Sequence, residues 1–256
     1  MRCLSRAFKK KAQMTTSRAF NIAVLNRTSD DTIMSDARAH QIMLALQKAA
    51  NGPFYKWWRI DANLRFVERG NLKDWRGAWN VVLLDTSDEA GALGYHDLTP
   101  EGKPLSKCFI KTDLQYGSEP SVTISHELWE MMVDPYINQF DYDSNRRVFV
   151  AHESADAVEA DELAFEVDGV KVSDFVLPRF FDPTAGHDNT VQFSYQNAVQ
   201  QPFELAHGGY EILYIPGKGF TQNVAKDQTE QIDVPKVGSR RERRMRGHSN
   251  WTRSKE

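Results

Sequence analysis

Between Pro120 and Pro135 the chain runs Pro-Ser-Val-Thr-Ile-Ser-His-Glu-Leu-Trp-Glu-Met-Met-Val-Asp-Pro, and no other stretch constrains the fold so tightly. Proline suits the first turn of a helix, and Asp134-Pro135 closes one. Ile124, Leu128, Met131 and Met132 recur at helical spacing, so one side of this helix is buried against a core. The other side carries His126, Glu127 and Glu130, which the packing of their neighbours makes more than a solvated face.

The segments before the helix supply the rest of a layered domain. Asn21 to Leu25 reads as a short buried strand. Ser35 is a good N-cap for a helix through Ala39, Ile42, Met43 and Leu46, with Gly52-Pro53 as its stop. Ile60, Ala62, Leu64 and Phe66 alternate with polar residues as in a half-buried strand, and Trp79 to Leu84 reads as a central one. Ala92–Asp97 and Lys107–Thr112 flank a turn-rich segment, so a hairpin precedes the motif helix. Its edge is a candidate docking strand for an extended peptide. Arg147–Ala151 reads as a strand and Phe165–Val172 as a hairpin turning at Asp168-Gly169. This order predicts an α+β (mixed α/β) fold with a hairpin-rich C-terminal part. Trp57, Trp58, Trp75 and Trp79 read as core and rim packing.

Charge divides the chain unevenly. Residues 1–18 hold six Lys/Arg and no acid, and residues 236–256 hold eight against two acids, while the part between them has a balance of −15. We therefore expect a basic N-terminal extension over 1–18, a folded domain over 19–221 and a basic flexible tail over 222–256. The basic ends suit weak, nonspecific nucleic-acid contact. Neither a secretory signal nor an apolar run of membrane-spanning length is present in the sequence, so the expected location is the cytoplasm, or a virion if the chain is phage-encoded. Cys3 and Cys108 are too few for a thiolate zinc site and read as free thiols.

Positions i and i+4 of a helix share a face about 6 Å apart, so His126 and Glu130 can address one cation. Glu127 sits where the helical His-Glu-x-x-His motif places its general base. Glu130 replaces that motif's second His, which adds negative charge and moves the preference from zinc toward harder cations such as Ca or Mn. Glu153 is the candidate third ligand, and Asp156 the group that orients His126 through its other ring nitrogen. These two read equally well, with Glu159 and Asp161, as a solvated acidic helix face. Asp134 lies about 12 Å beyond His126 along the helix. It is expected to end the helix or support the site from behind. His96 with Asp97 reads as a structural histidine at a turn in preference to a ligand pair.

Four blocks in order, G-A-L-G-Y-H-D-L-T (91–99), S-H-E-L-W-E-M-M-V-D-P (125–135), E-S-A-D-A-V-E-A-D (153–161) and D-G-V-K-V-S-D-F-V-L-P (168–178), resemble an uncharacterised family of bacterial and phage proteins. The segment G-S-R-R-E-R-R (238–244) is similar too. More loosely, the motif helix with Glu153 and Asp156 downstream resembles the gluzincin peptidases. This resemblance implies a zincin-like domain, a divalent metal (zinc first) and a peptide or protein substrate. The phage resemblance implies an alternative: a non-enzymatic virion structural or interaction protein, with other virion proteins as partners.

Overall fold

Phe20–Asn26 forms strand β1, with Ile22 and Val24 buried. Asp30 caps a single-turn helix α1 (Asp31–Met34). Ser35 then caps α2 (Asp36–Ala49), its hydroxyl accepting the Arg38 N–H. Ala39, Ile42, Met43 and Leu46 all face the core, as their spacing implied. The expected stop at Gly52-Pro53 does not occur. The chain widens into one π-helical turn (Ala50–Phe54), which accommodates a proline that has no N–H to offer. It continues as α3 (Tyr55–Trp58) until Arg59 turns left-handed at φ 58°. These observations come from a computed structural model, which describes residues 19–71, 77–88, 92–185 and 191–225. The basic segments 1–18 and 226–256, the G-S-R-R-E-R-R segment and Trp75 lie outside the described residues.

Strands β2 (Ala62–Val67), β3 (Trp79–Leu84), β4 (Gly94–Leu98) and β5 (Pro104–Phe109) join β1 in a sheet of order β2-β1-β3-β5-β4. β3 is the middle strand, as its apolar run implied. Pairing is parallel except at the β4 edge, which runs antiparallel to β5. The expected hairpin is present, but its second strand begins at Pro104 and Ile110–Tyr116 is helix α4. A short apolar run does not by itself separate strand from helix.

Helix α5 (Pro120–Val133) follows and packs on β5, β4 and β3. Three side-chain bonds fix its position. Ser106 Oγ donates to the Glu127 carbonyl at 3.1 Å, Trp129 Nε1 donates to the Ser173 carbonyl at 3.2 Å, and the Ser173 N–H donates to Ser125 Oγ at 2.8 Å. Trp129 stacks on Phe54 at 4.6 Å between ring centroids, with Phe175 edge-on to both, so α5, the π-turn and the later chain share one core.

The second half builds an antiparallel sheet of order β11-β10-β7-β6 from β6 (Phe140–Asp143), β7 (Val148–Ala151), β10 (Tyr210–Ile215) and β11 (Gly219–Val224). Arg146, in the β6–β7 turn, pairs with Asp143 and with Glu211 of β10. Between these strands lies the hairpin β8 (Phe165–Val167) and β9 (Val170–Val172), turning at Asp168 (φ 51°) and Gly169 (φ 73°) as expected. β11 and buried Ala225 carry the ordered chain past the expected boundary at 221. Its polar outward residues hid the strand from apolar patterning. The fold is thus α+β, with a mixed sheet, a motif helix and a hairpin-rich C-terminal part. Among the described residues no helix is long and apolar enough to cross a membrane.

Candidate metal centre

Three segments, α5 among them, converge on one cluster. The helix presents His126, Glu127 and Glu130; edge strand β4 presents His96; and the stretch after β7 presents Glu153 and Asp156. His96 is 1% exposed, Glu130 0%, Asp156 1% and Glu153 4%, with His126 the most open of the six at 6%. The acidic stretch is therefore not a solvated helix face. Its Asp156–Val158 segment is a 3-10 turn with Asp156 buried, while Glu159 and Asp161 remain half-buried.

The six donors fall into two groups that share Glu130. In the first, Nε2 of His126 lies 3.1 Å from Glu130 Oε1 and 3.1 Å from Asp156 Oδ1. An imidazole nitrogen offers one proton or one lone pair, so it satisfies one of these carboxylates at most by hydrogen bonding. A cation satisfies all three, because donors bound at 2.0–2.2 Å in a tetrahedron lie about 3.3–3.6 Å apart. Asp156 thus approaches the same ring nitrogen as Glu130, not the other one as the sequence reading had it.

In the second group, Nδ1 of His96 lies 3.3 Å from Glu130 Oε2 and 3.8 Å from Glu127 Oε2, and its Nε2 lies 3.6 Å from Glu153 Oε2. The structure brings Glu153 into the cluster, as expected, but sets it against His96. Burial works against a charge on His96. The surrounding Glu153, Glu127 and Glu130 outweigh it and hold the imidazole pKa up at about 10. A pocket with four carboxylates closed off from water requires positive charge, whether proton or metal.

Asp134 behaves as the first of its two expected roles. It terminates α5 and its carboxylate accepts the backbone N–H groups of Asn138 and Gln139 at 3.0 and 3.1 Å. His96 is the residue whose expected place the structure corrects. Far from being a histidine at a turn, it lies inside strand β4, on the same face as Gly94, while Asp97 takes the opposite face and accepts the Leu98 N–H. The available signal was Gly94 itself, two residues before His96. Without a side chain there, β4 can approach α5 closely at Glu127.

No protein-family model, curated protein or solved structure matches this chain. Buried His, Glu and Asp groups at metal-binding spacing are therefore what the molecule itself offers, and they are compatible with a divalent cation.

Proposed function

We propose that the chain is a metal-dependent hydrolase acting on peptide bonds, with a divalent cation held by His126, Glu130 and Asp156. The observation that carries this reading is the convergence of two carboxylates on one imidazole nitrogen, each at 3.1 Å. When bound, such a cation acidifies water and polarises a carbonyl. Glu127, next to His126 on α5, is the general base: it accepts the proton of the attacking water and returns it to the leaving amine. Edge strand β4 runs beside these groups, so an extended peptide adding to it would be held past the base by main-chain hydrogen bonds. A mixed sheet bearing the motif helix supports the zincin-like reading. Two imidazoles among four carboxylates favour zinc or manganese over calcium, which takes oxygen ligands.

Metal analysis of the purified chain, paired with proteolysis of an unfolded protein, tests this. Stoichiometric metal is expected, with a large loss in His126→Ala, and Glu127→Gln should keep the metal while losing at least 100-fold in turnover. The burial of all six donors favours a second reading, in which the ion is structural and the chain is an interaction protein, in a phage particle on the family resemblance. Metal retained with no turnover dependent on Glu127 selects that reading. Absence of metal eliminates the hydrolase and the structural ion, and leaves an interaction protein without a metal.

A further inference from the structure

We propose that the cluster is a dinuclear centre: a second divalent cation is held by His96, Glu130 and Glu153, and Glu130 bridges the two ions through its two oxygens. This deepens the hydrolase reading and rests on the first group holding its own ion.

Three observations carry it. The two oxygens of Glu130 face different histidines, Oε1 toward His126 at 3.1 Å and Oε2 toward His96 at 3.3 Å. A carboxylate placed in this way between two donor groups has one oxygen for each ion. Next, His96 is 1% exposed and both ring nitrogens face carboxylates, Nδ1 with Glu130 Oε2 at 3.3 Å and Nε2 with Glu153 Oε2 at 3.6 Å, without well-formed hydrogen-bond geometry at either. Such an imidazole can hold an ion through one ring nitrogen while the other, as N–H, faces a carboxylate. Finally, charge favours two ions over one. Glu127, Glu130, Glu153 and Asp156 are all buried, so a single divalent ion leaves an excess of negative charge in a region shielded from bulk solvent. Two divalent ions with neutral imidazoles balance the four carboxylates. The arrangement also gives Glu127 a position at the second ion, 3.8 Å from His96 Nδ1. With both ions bound, Glu127 would be placed to take a proton from water that the pair activates.

The test uses the full chain, stripped of metal and titrated with Mn2+ alone, read by equilibrium stoichiometry and by electron paramagnetic resonance. We expect two ions per chain and a spin-coupled spectrum. His96→Gln and Glu153→Gln should each bind one ion with an uncoupled six-line spectrum, while circular dichroism verifies the fold of each. One ion in the wild type that is lost in His126→Ala but kept in His96→Gln would overturn the second site and leave the hydrolase reading standing. One ion lost equally in both histidine variants would show a single site shared by the six donors, and would overturn the pair. Two ions without spin coupling would overturn the Glu130 bridge. No ion in the wild type would remove this proposal together with the reading beneath it.

Discussion

A methyl group built on Gly94 would lie 2.8 Å from Cγ of Glu127, 2.9 Å from its Oε1 and 3.0 Å from Cγ2 of Thr123. Because Cγ is near the root of the side chain, no rotation of the carboxylate alone relieves the contact. Gly94→Ala is therefore expected to destabilise the protein by about 1–3 kcal/mol, the range of core overpacking. Most of that loss should disappear in a Glu127→Ala background, where the two nearest atoms are gone and only the Thr123 methyl remains close. A double-mutant cycle by urea unfolding measures the coupling, and additive effects would remove Glu127 from contact with β4. Asp174 offers a second test at this scale. Burial raises its carboxyl pKa to about 6, although its Oδ1 accepts the N–H groups of Phe175 and Gln196. The native protein thus keeps a proton that the unfolded chain releases above about pH 4. The stability this proton contributes is fully present below pH 4 and is lost as pH rises through 6. Asp174→Asn keeps the Oδ1 acceptor and stays neutral. Relative to the wild type it should gain a few kcal/mol between pH 4 and 7, read as diverging urea midpoints; parallel midpoints would show that Asp174 is ionised throughout.

At the level of elements, the site depends on how closely the 3-10 turn carrying Asp156 is held. A methyl on Gly209 would lie 2.3 Å from the Ala157 carbonyl oxygen and 2.7 Å from its carbon. That carbonyl also accepts the Ala206 N–H at 2.9 Å, so the turn is fixed by backbone on both counts. Gly209→Ala has no rotamer to relieve it. It should push Asp156 away from His126 and weaken the first metal at least tenfold, whereas Gly52→Ala, with open space around it, should leave affinity unchanged. Isothermal titration of the two variants makes the comparison, and equal affinities would mean that the turn adjusts freely. The same turn shows which features were legible in the chain. Helix α5 could be read because Ile124, Leu128, Met131 and Met132 repeat its period and Pro120 and Asp134 mark its ends. Asp156 was placed near His126 but on the wrong nitrogen, since sequence separation gives the order of segments and not the angle at which they meet. Strand β6 was missed because Phe140-Asp141-Tyr142-Asp143 alternates around half-exposed residues and buries only Asp143, which caps the following turn. His96 was misread for a related reason: a lone histidine on an edge strand acquires meaning only when the helix opposite it is known.

Across the whole molecule, the cluster joins side chains from three separate parts of the chain. Strand β4 belongs to the mixed sheet, α5 to the core shared with Phe54 and Phe175, and Glu153 follows β7 of the antiparallel sheet. Cations bound here would hold these three in register, and their removal would leave four buried carboxylates facing one another. An ion that binds only the native state adds about 4 kcal/mol when present at a thousand times its dissociation constant. For a chain of this size that corresponds to a change in Tm on the order of 10 °C. Chelation is therefore expected to lower the Tm by this amount and to restore it on adding Zn2+ or Mn2+. Hydrogen exchange should locate the loosening: amides of β4, of α5 around His126 and of residues 153–158 should lose protection together, while β2 and the β10–β11 hairpin change little. A chelator that leaves both the Tm and those amides unaffected would mean that the carboxylates are neutralised by protons, with His96 as imidazolium, and that no ion holds the two sheets together.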